Sequence, residues 1–166
     1  MKMWKRITDG LLVVFLLLAA AIAVPQVFGI RVYTVLSPSM APEIPVGSAV
    51  YVKKEAFEKI RPGDIITCRP DMGDIYITHR VSEKDEAGRT LVTKGDANET
   101  PDGRRVREEE LMGVVRLSVP YLGYAAMLFS GMGEKLLLAG VFLWLLLIKM
   151  ILSNVLKMRK EGVTIS

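Results

Sequence analysis

The sequence predicts a mainly β protein, with a small antiparallel β domain flanked by two transmembrane helices. Three observations carry that expectation. Hydrophobic residues make up 51% of the chain and concentrate in two runs near its ends. Between the runs lie short β-rich segments separated by Gly, Pro and Asp turns. A length of 166 residues leaves room for one modest folded domain between the two runs.

Residues 1–9 form a basic flank, with Lys2, Lys5 and Arg6 against Asp9. Residues 10–30 are expected to be the first transmembrane helix. Leu11 to Ile30 carries no charge, and a crossing takes about 20 apolar residues. Met1 to Arg6 followed by Ala19-Ala-Ala-Ile-Ala23 also has the outline of a cleaved leader. The apolar run continues past Ala23 to Ile30, with Pro25 inside it, which favours a retained anchor.

Residues 31–130 are expected to form the β domain. Ser48-Ala-Val-Tyr-Val-Lys53 is rich in strand formers. Arg61-Pro-Gly-Asp64 makes a turn into a strand from Ile65 to Arg69, and Asp71-Met-Gly-Asp74 precedes another from Ile75 to Val81. Glu86-Ala-Gly-Arg89 reads as a hairpin tip before Thr90 to Lys94, and Leu111 to Val119 closes the series. A helical turn at Glu55 to Lys59 is the one departure from strand character.

Residues 134–154 are expected to be the second transmembrane helix, built on Leu136 to Ile148, with Lys149 snorkelling toward the interface. Tyr121 and Tyr124 suit interfacial positions, whereas Trp144 falls deep in the apolar run. Residues 155–166 form a tail. Across the two terminal flanks, counted together with Lys149, seven basic residues face two acidic ones, and the rest of the chain carries a slight negative excess. Basic residues at membrane ends mark the cytoplasmic side. Both termini are therefore expected in the cytoplasm, with the β domain outside, in a multi-pass protein of the cytoplasmic membrane. The net charge of +4 reflects topology and implies the lipid bilayer as a partner, not nucleic acid.

The chemistry available is narrow. One histidine and one cysteine exclude most zinc sites, and no Gly-rich phosphate loop is present. No metal and no cofactor are expected. Cys68 cannot form an intrachain disulfide, and its apolar-alternating surroundings predict a buried strand position. What remains is hydroxyl, imidazole and carboxylate. Ser37-Pro-Ser-Met-Ala-Pro42 holds Ser39 between two prolines that restrict the backbone. A serine hydroxyl needs a neighbouring base to take its proton, and His79 is the side chain suited to that exchange near neutral pH. A carboxylate would orient the ring and stabilise its charged form, for which Asp96 and Asp102 are both candidates.

These residues fall in four ordered motifs. Ser37-Pro-Ser-Met-Ala-Pro42 resembles the nucleophile box of the type I signal peptidases. Asp64-Ile-Ile66 and Thr78-His-Arg-Val81 resemble the next two boxes, and Lys94-Gly-Asp-Ala-Asn98 followed by Asp102 resembles the last. The likeness runs from the first apolar run to about Tyr124. The common bacterial branch uses a lysine base. His79 stands in the corresponding box here, as in the branch typical of the endoplasmic reticulum, archaea and some Gram-positive bacteria.

The resemblance implies Ser39 as nucleophile, His79 as general base and Asp102 as the relay carboxylate, with Asp96 sharing or supporting that role. It implies an oxyanion hole from the Ser39 N–H and the Ser37 hydroxyl. Ala97 departs from the family's commoner Gly-Asp-Asn-Asn, which makes the role of Asp96 less secure. Substrates would carry small residues one and three positions before the cut, and Met40, Ile44, Ile75 and Ile77 are candidates for lining those pockets. The function expected is removal of signal peptides from exported preproteins, with the secretion translocon as a further partner. Two alternatives stand beside it: a processing protease of narrower specificity on the same fold, and a non-catalytic membrane-tethered accessory module.

Overall fold

The computed structural model describes residues 2–70, 75–127 and 132–160. The chain divides into two compact units, one formed by Met1–Ala21 with Leu128–Ser166 and the other by Ile22–Met127.

The first unit contains most of α1 (Lys2–Val27) and α3 (Met132–Lys160). Arg6–Val27 is 22 residues long with a mean hydropathy of 2.6, enough to cross a membrane by length and composition. The apolar stretch of α3, Ala139–Val155, is shorter. Among the described residues α1 alone has the dimensions of a crossing, so the second expected transmembrane helix is not shown. Lys149 lies 3.0 Å from Asp9 of α1. Phe15 and Phe142 stack with their centroids 5.9 Å apart.

The second unit is a seven-stranded sheet in which every pairing is antiparallel. Its strands are β1 (Ile30–Thr34), β2 (Ala49–Lys53), β3 (Ile65–Cys68), β4 (Ile77–Asp85), β5 (Thr90–Lys94), β6 (Val106–Arg107) and β7 (Leu111–Val119), in the order β1-β2-β7-β3-β4-β5-β6. A short helix, α2 (Leu122–Met127), follows β7.

Four of these strands, β2, β3, β5 and β7, stand where the sequence predicts them, and β4 overlaps the expected Ile75 to Val81 but runs from Ile77 to Asp85. β1 and β6 are not among the expected strands, and α1 stops at Val27, short of the expected Ile30. The apolar run breaks because Gly29 adopts a φ of 72°, a left-handed turn that glycine enters at no steric cost. Ile30 onward is then free to pair with β2, Ile30 opposite Lys53. The hairpin tip between β4 and β5 is as expected, with the Gly88 N–H donating to Asp85 Oδ1 at 3.0 Å.

Two buried clusters hold the sheet. Phe57, Ile60, Ile66, Cys68, Val81, Leu91, Val106 and Val114 form one, and Val35, Met40, Ile44, Val50 and Val52 the other. The sheet curls on itself: three strands separate β1 from β4 in the order, yet Tyr33 of β1 and Tyr76 beside β4 have ring centroids 4.7 Å apart. Cys68 is buried as expected. Burial, and then the nearby carboxylates of Glu110 and Asp102, push its thiol up to about 12, so it is no thiolate nucleophile at neutral pH.

Candidate active site

Val35 anchors the end of the β1 segment in the second cluster, and its N–H donates to the Ser48 carbonyl at 2.9 Å. The chain then turns through a single 3-10 turn, Pro38–Met40, with a proline at its first position. Met40, 1% exposed, is driven into the core, and Ser39 is left half-buried at the surface. As the second residue of that turn, Ser39 has an N–H with no acceptor inside it. The Ser37 hydroxyl lies 3.2 Å from the Ser39 hydroxyl.

His79 comes from β4, opposite Ile66 of β3. Its Nε2 is 3.1 Å from Ser39 Oγ and its Nδ1 is 2.6 Å from Asp102 Oδ2. With Nδ1 protonated and donating to the carboxylate, Nε2 presents its lone pair to the serine hydroxyl. Asp102 is held in turn by the Thr93 hydroxyl, which donates to Oδ2 at 2.6 Å, while the Asp102 N–H donates to the Thr93 carbonyl at 2.8 Å. Thr93 is 1% exposed. The His79 side chain is 12% exposed and that of Asp102 25%, so the pair is shielded but reachable from solvent.

The Asp96 carboxylate bonds a different partner. Alternation along β4 sends Arg80 away from the side taken by His79. Arg80 grips Asp96 with two parallel bonds, Nε to Oδ1 at 2.8 Å and Nη2 to Oδ2 at 2.7 Å. A third bond runs from Arg80 Nη1 to the Gly63 carbonyl at 2.9 Å. The carboxylate raises the Arg80 guanidinium above its already high ordinary value. Asp96 therefore pins the loop after β5 to β4. That loop touches Ser39 directly, because the Ala97 N–H donates to the Ser39 carbonyl at 2.9 Å. Backbone, not side chain, makes this contact, so alanine serves at position 97 as well as asparagine would.

Gly95 is required by the same approach. A Cβ there would lie 2.6 Å from the Ser39 carbonyl oxygen and 2.8 Å from the Asn98 amide nitrogen. Gly95→Ala is expected to push the loop off the nucleophile turn. Displacements of about 1 Å near reacting groups cost on the order of 100-fold, so kcat/KM should fall by about that factor while the sheet's circular dichroism is unchanged.

The four candidates for lining substrate pockets divide. Met40 and Ile44 are each 1% exposed, in the core beneath the serine, and have almost no surface to offer a substrate. Ile75 is 67% exposed, and Ile77 is half-buried against the other cluster. Sequence reasoning missed Thr93, Gly95 and Arg80. Gly95 could have been found, as a glycine beside two motif residues. Thr93 and Arg80 needed the register of β4 against β5, in which Arg80 faces Lys94 and Val81 faces Thr93. Among the described residues no cluster of His, Cys, Asp and Glu could hold a metal ion.

The chain's likeness to known proteins covers the same residues. The family model described as signal peptidase, peptidase S26 matches residues 7–99, which include Ser39, His79 and Asp96. The signal peptidase complex catalytic subunit SEC11 of Eremothecium gossypii is 36% identical over 111 residues, 60% of this chain and 65% of that protein. Signal peptidase I W of Bacillus subtilis is 37% identical over 90 residues, 52% of this chain and 47% of that protein. The human signal peptidase complex catalytic subunit SEC11C is 30% identical over 109 residues, 60% of this chain and 57% of that protein. The chain thus aligns with between 47% and 65% of the length of these relatives. With more than half of its residues matched by the family model, the chain belongs to the signal peptidase family S26, among the type I signal peptidases.

Proposed function

We propose that this protein is a membrane-anchored serine endopeptidase that removes signal peptides from exported preproteins, cutting after small residues. The observation that carries the reading is the unbroken line Ser39–His79–Asp102, with contacts of 3.1 and 2.6 Å. In the proposed reaction Ser39 Oγ attacks the scissile carbonyl and His79 Nε2 takes its proton. Asp102 stabilises the imidazolium that forms, and His79 then delivers the proton to the leaving amine. The Ser39 N–H and the Ser37 hydroxyl receive the oxyanion. Water completes the cycle by hydrolysing the ester on Ser39, with His79 again as base.

Membrane attachment favours that substrate class. Ser39 follows the end of α1 by twelve residues, and they turn twice, so the hydroxyl stays near the outer surface. A preprotein held by its own apolar segment presents its cleavage site in the same plane, which raises effective concentration. The antiparallel contacts of Asp9 with Lys149 and Phe15 with Phe142 favour α3 as a returning crossing. Both termini would then be cytoplasmic.

Two experiments test this. The purified full-length chain should cleave a preprotein in detergent, and replacing the small residue before the cut by a bulky one should stop it. If the chain cuts equally well after bulky residues, its substrate class is not that of signal peptides. Topology can be read by labelling single cysteines with an impermeant reagent in right-side-out vesicles. The buried Cys68, with its thiol up at about 12, should stay silent, so the wild-type chain serves as background. Cysteines placed at Lys54 and Glu83 should label, and those at positions 2 and 160 should not. Labelling at position 160 would place the C-terminus outside and end the second crossing.

A further inference from the structure

The β domain carries a cavity of about 760 Å³, lined by β1, β2, Tyr76 and the start of β7. From Tyr76 to His79 is three residues, or about 10 Å at the rise of an extended strand. The cavity extends from there along β1, past Tyr33, toward Gln26 and Gly29 at the foot of α1. Arg31 lies two residues before Tyr33 on the same face of β1, and Lys54 lies two residues after Val52, the partner of Arg31 in register. Both cations line the cavity, and among the described residues neither has a carboxylate partner. Glu109, on the same wall, is taken by Arg107 at 2.9 Å. The end of the cavity at Arg31 and Lys54 is therefore cationic.

From these residues we infer that Arg31 and Lys54 form a subsite for a carboxylate side chain of the substrate, about five or six residues upstream of the cut. The inference rests on the proposed endopeptidase reading and deepens it. β1 is an edge strand: among the described residues its strand partner is β2 alone, so its other edge offers unpaired N–H and C=O groups to an extended peptide. A substrate whose upstream segment is held in the bilayer must leave Ser39 toward the foot of α1, which is where the cavity leads. Side chains of an added strand alternate between faces. One in two upstream residues then enters the cavity, the nearer ones beside the packed Tyr33 and Tyr76 rings and the next between the two cations.

The test uses the full chain in nanodiscs of neutral lipid and a set of peptides that differ in one residue. Glu or Lys is placed at each position from the fourth to the seventh before the cut. The expected result is a preference for Glu over Lys of about five-fold in kcat/KM, the size of one exposed ion pair, at one position or at two positions separated by one. In the Arg31→Glu/Lys54→Glu double variant that preference should invert. Lys53→Glu alters the local charge outside the cavity and should leave the preference as in wild type. Indifference of the wild-type chain to all eight peptides would overturn the subsite whether or not the variants fold. So would rates that ignore peptide charge and rise with the anionic lipid content of the disc, which would make the cations a headgroup contact. Failure to cleave any peptide would instead count against the endopeptidase reading itself.

Discussion

Ser39→Ala and His79→Ala are each expected to abolish preprotein cleavage, with losses on the order of a million-fold. The reason is geometric. Among the described residues the base within reach of Ser39 Oγ is the imidazole at 3.1 Å, and in the proposed reaction neither group acts without the other. Residues that act as one unit are not additive, so the double variant should be scarcely worse than either single one. Both side chains lie at the rim of the core, with Ser39 on a turn secured by Met40 and His79 backed by Ile66 across the strand. Thermal unfolding of the two variants should therefore stay close to that of the wild type. Rates and melting temperatures measured together separate loss of chemistry from loss of fold. A Ser39→Ala protein that still cuts would remove the serine from the mechanism.

Asp102→Asn is expected to cost about 10,000-fold in kcat, and Asp96→Asn far less. Asp102 Oδ2 receives both the Thr93 hydroxyl and His79 Nδ1. An asparagine there removes the negative charge that stabilises imidazolium. If its amide turns an N–H toward Nδ1, the ring also takes the tautomer in which Nε2 carries the proton and cannot accept one from Ser39. Asp96 touches no atom of the relay, and its two bonds go to Arg80. Asp96→Asn keeps the shape and one of those bonds, so the loss should be about ten-fold and should come with a loosened loop, visible as faster amide exchange at Ala97. An inactive Asp96→Asn beside an active Asp102→Asn would assign the relay to the other carboxylate.

The fold and the site were legible to different depths. Strands β2, β3, β5 and β7 could be read from runs of Val, Ile and Thr between turn residues, because alternation and turn chemistry are local properties. β1 could not: its first residue, Ile30, closes the apolar run of the helix, and the left-handed turn at Gly29 separates helix from strand. β6, two residues long, exists because Thr90 and Leu91 pair with it. Ser39 and His79 could be singled out by residue type and scarcity. The choice between Asp96 and Asp102 could not, since both sit in one polar loop. It is made by the alternation of His79 and Arg80 on β4, which sends each to a different carboxylate. Met40 and Ile44 follow the serine closely in sequence, but the 3-10 turn folds them under it.

The central claim is that the 3.1 Å contact between His79 and Ser39 makes that hydroxyl the attacking group. An acid quench of the full-length chain during cleavage of a preprotein, followed by mass spectrometry of the digested enzyme, tests this most directly. The account predicts that the peptide containing Ser39 carries the upstream fragment of the substrate as an ester, absent from His79→Ala and removed by mild base. Turnover with no adduct on wild-type Ser39, together with cleavage by Ser39→Ala at the wild-type rate, would contradict it.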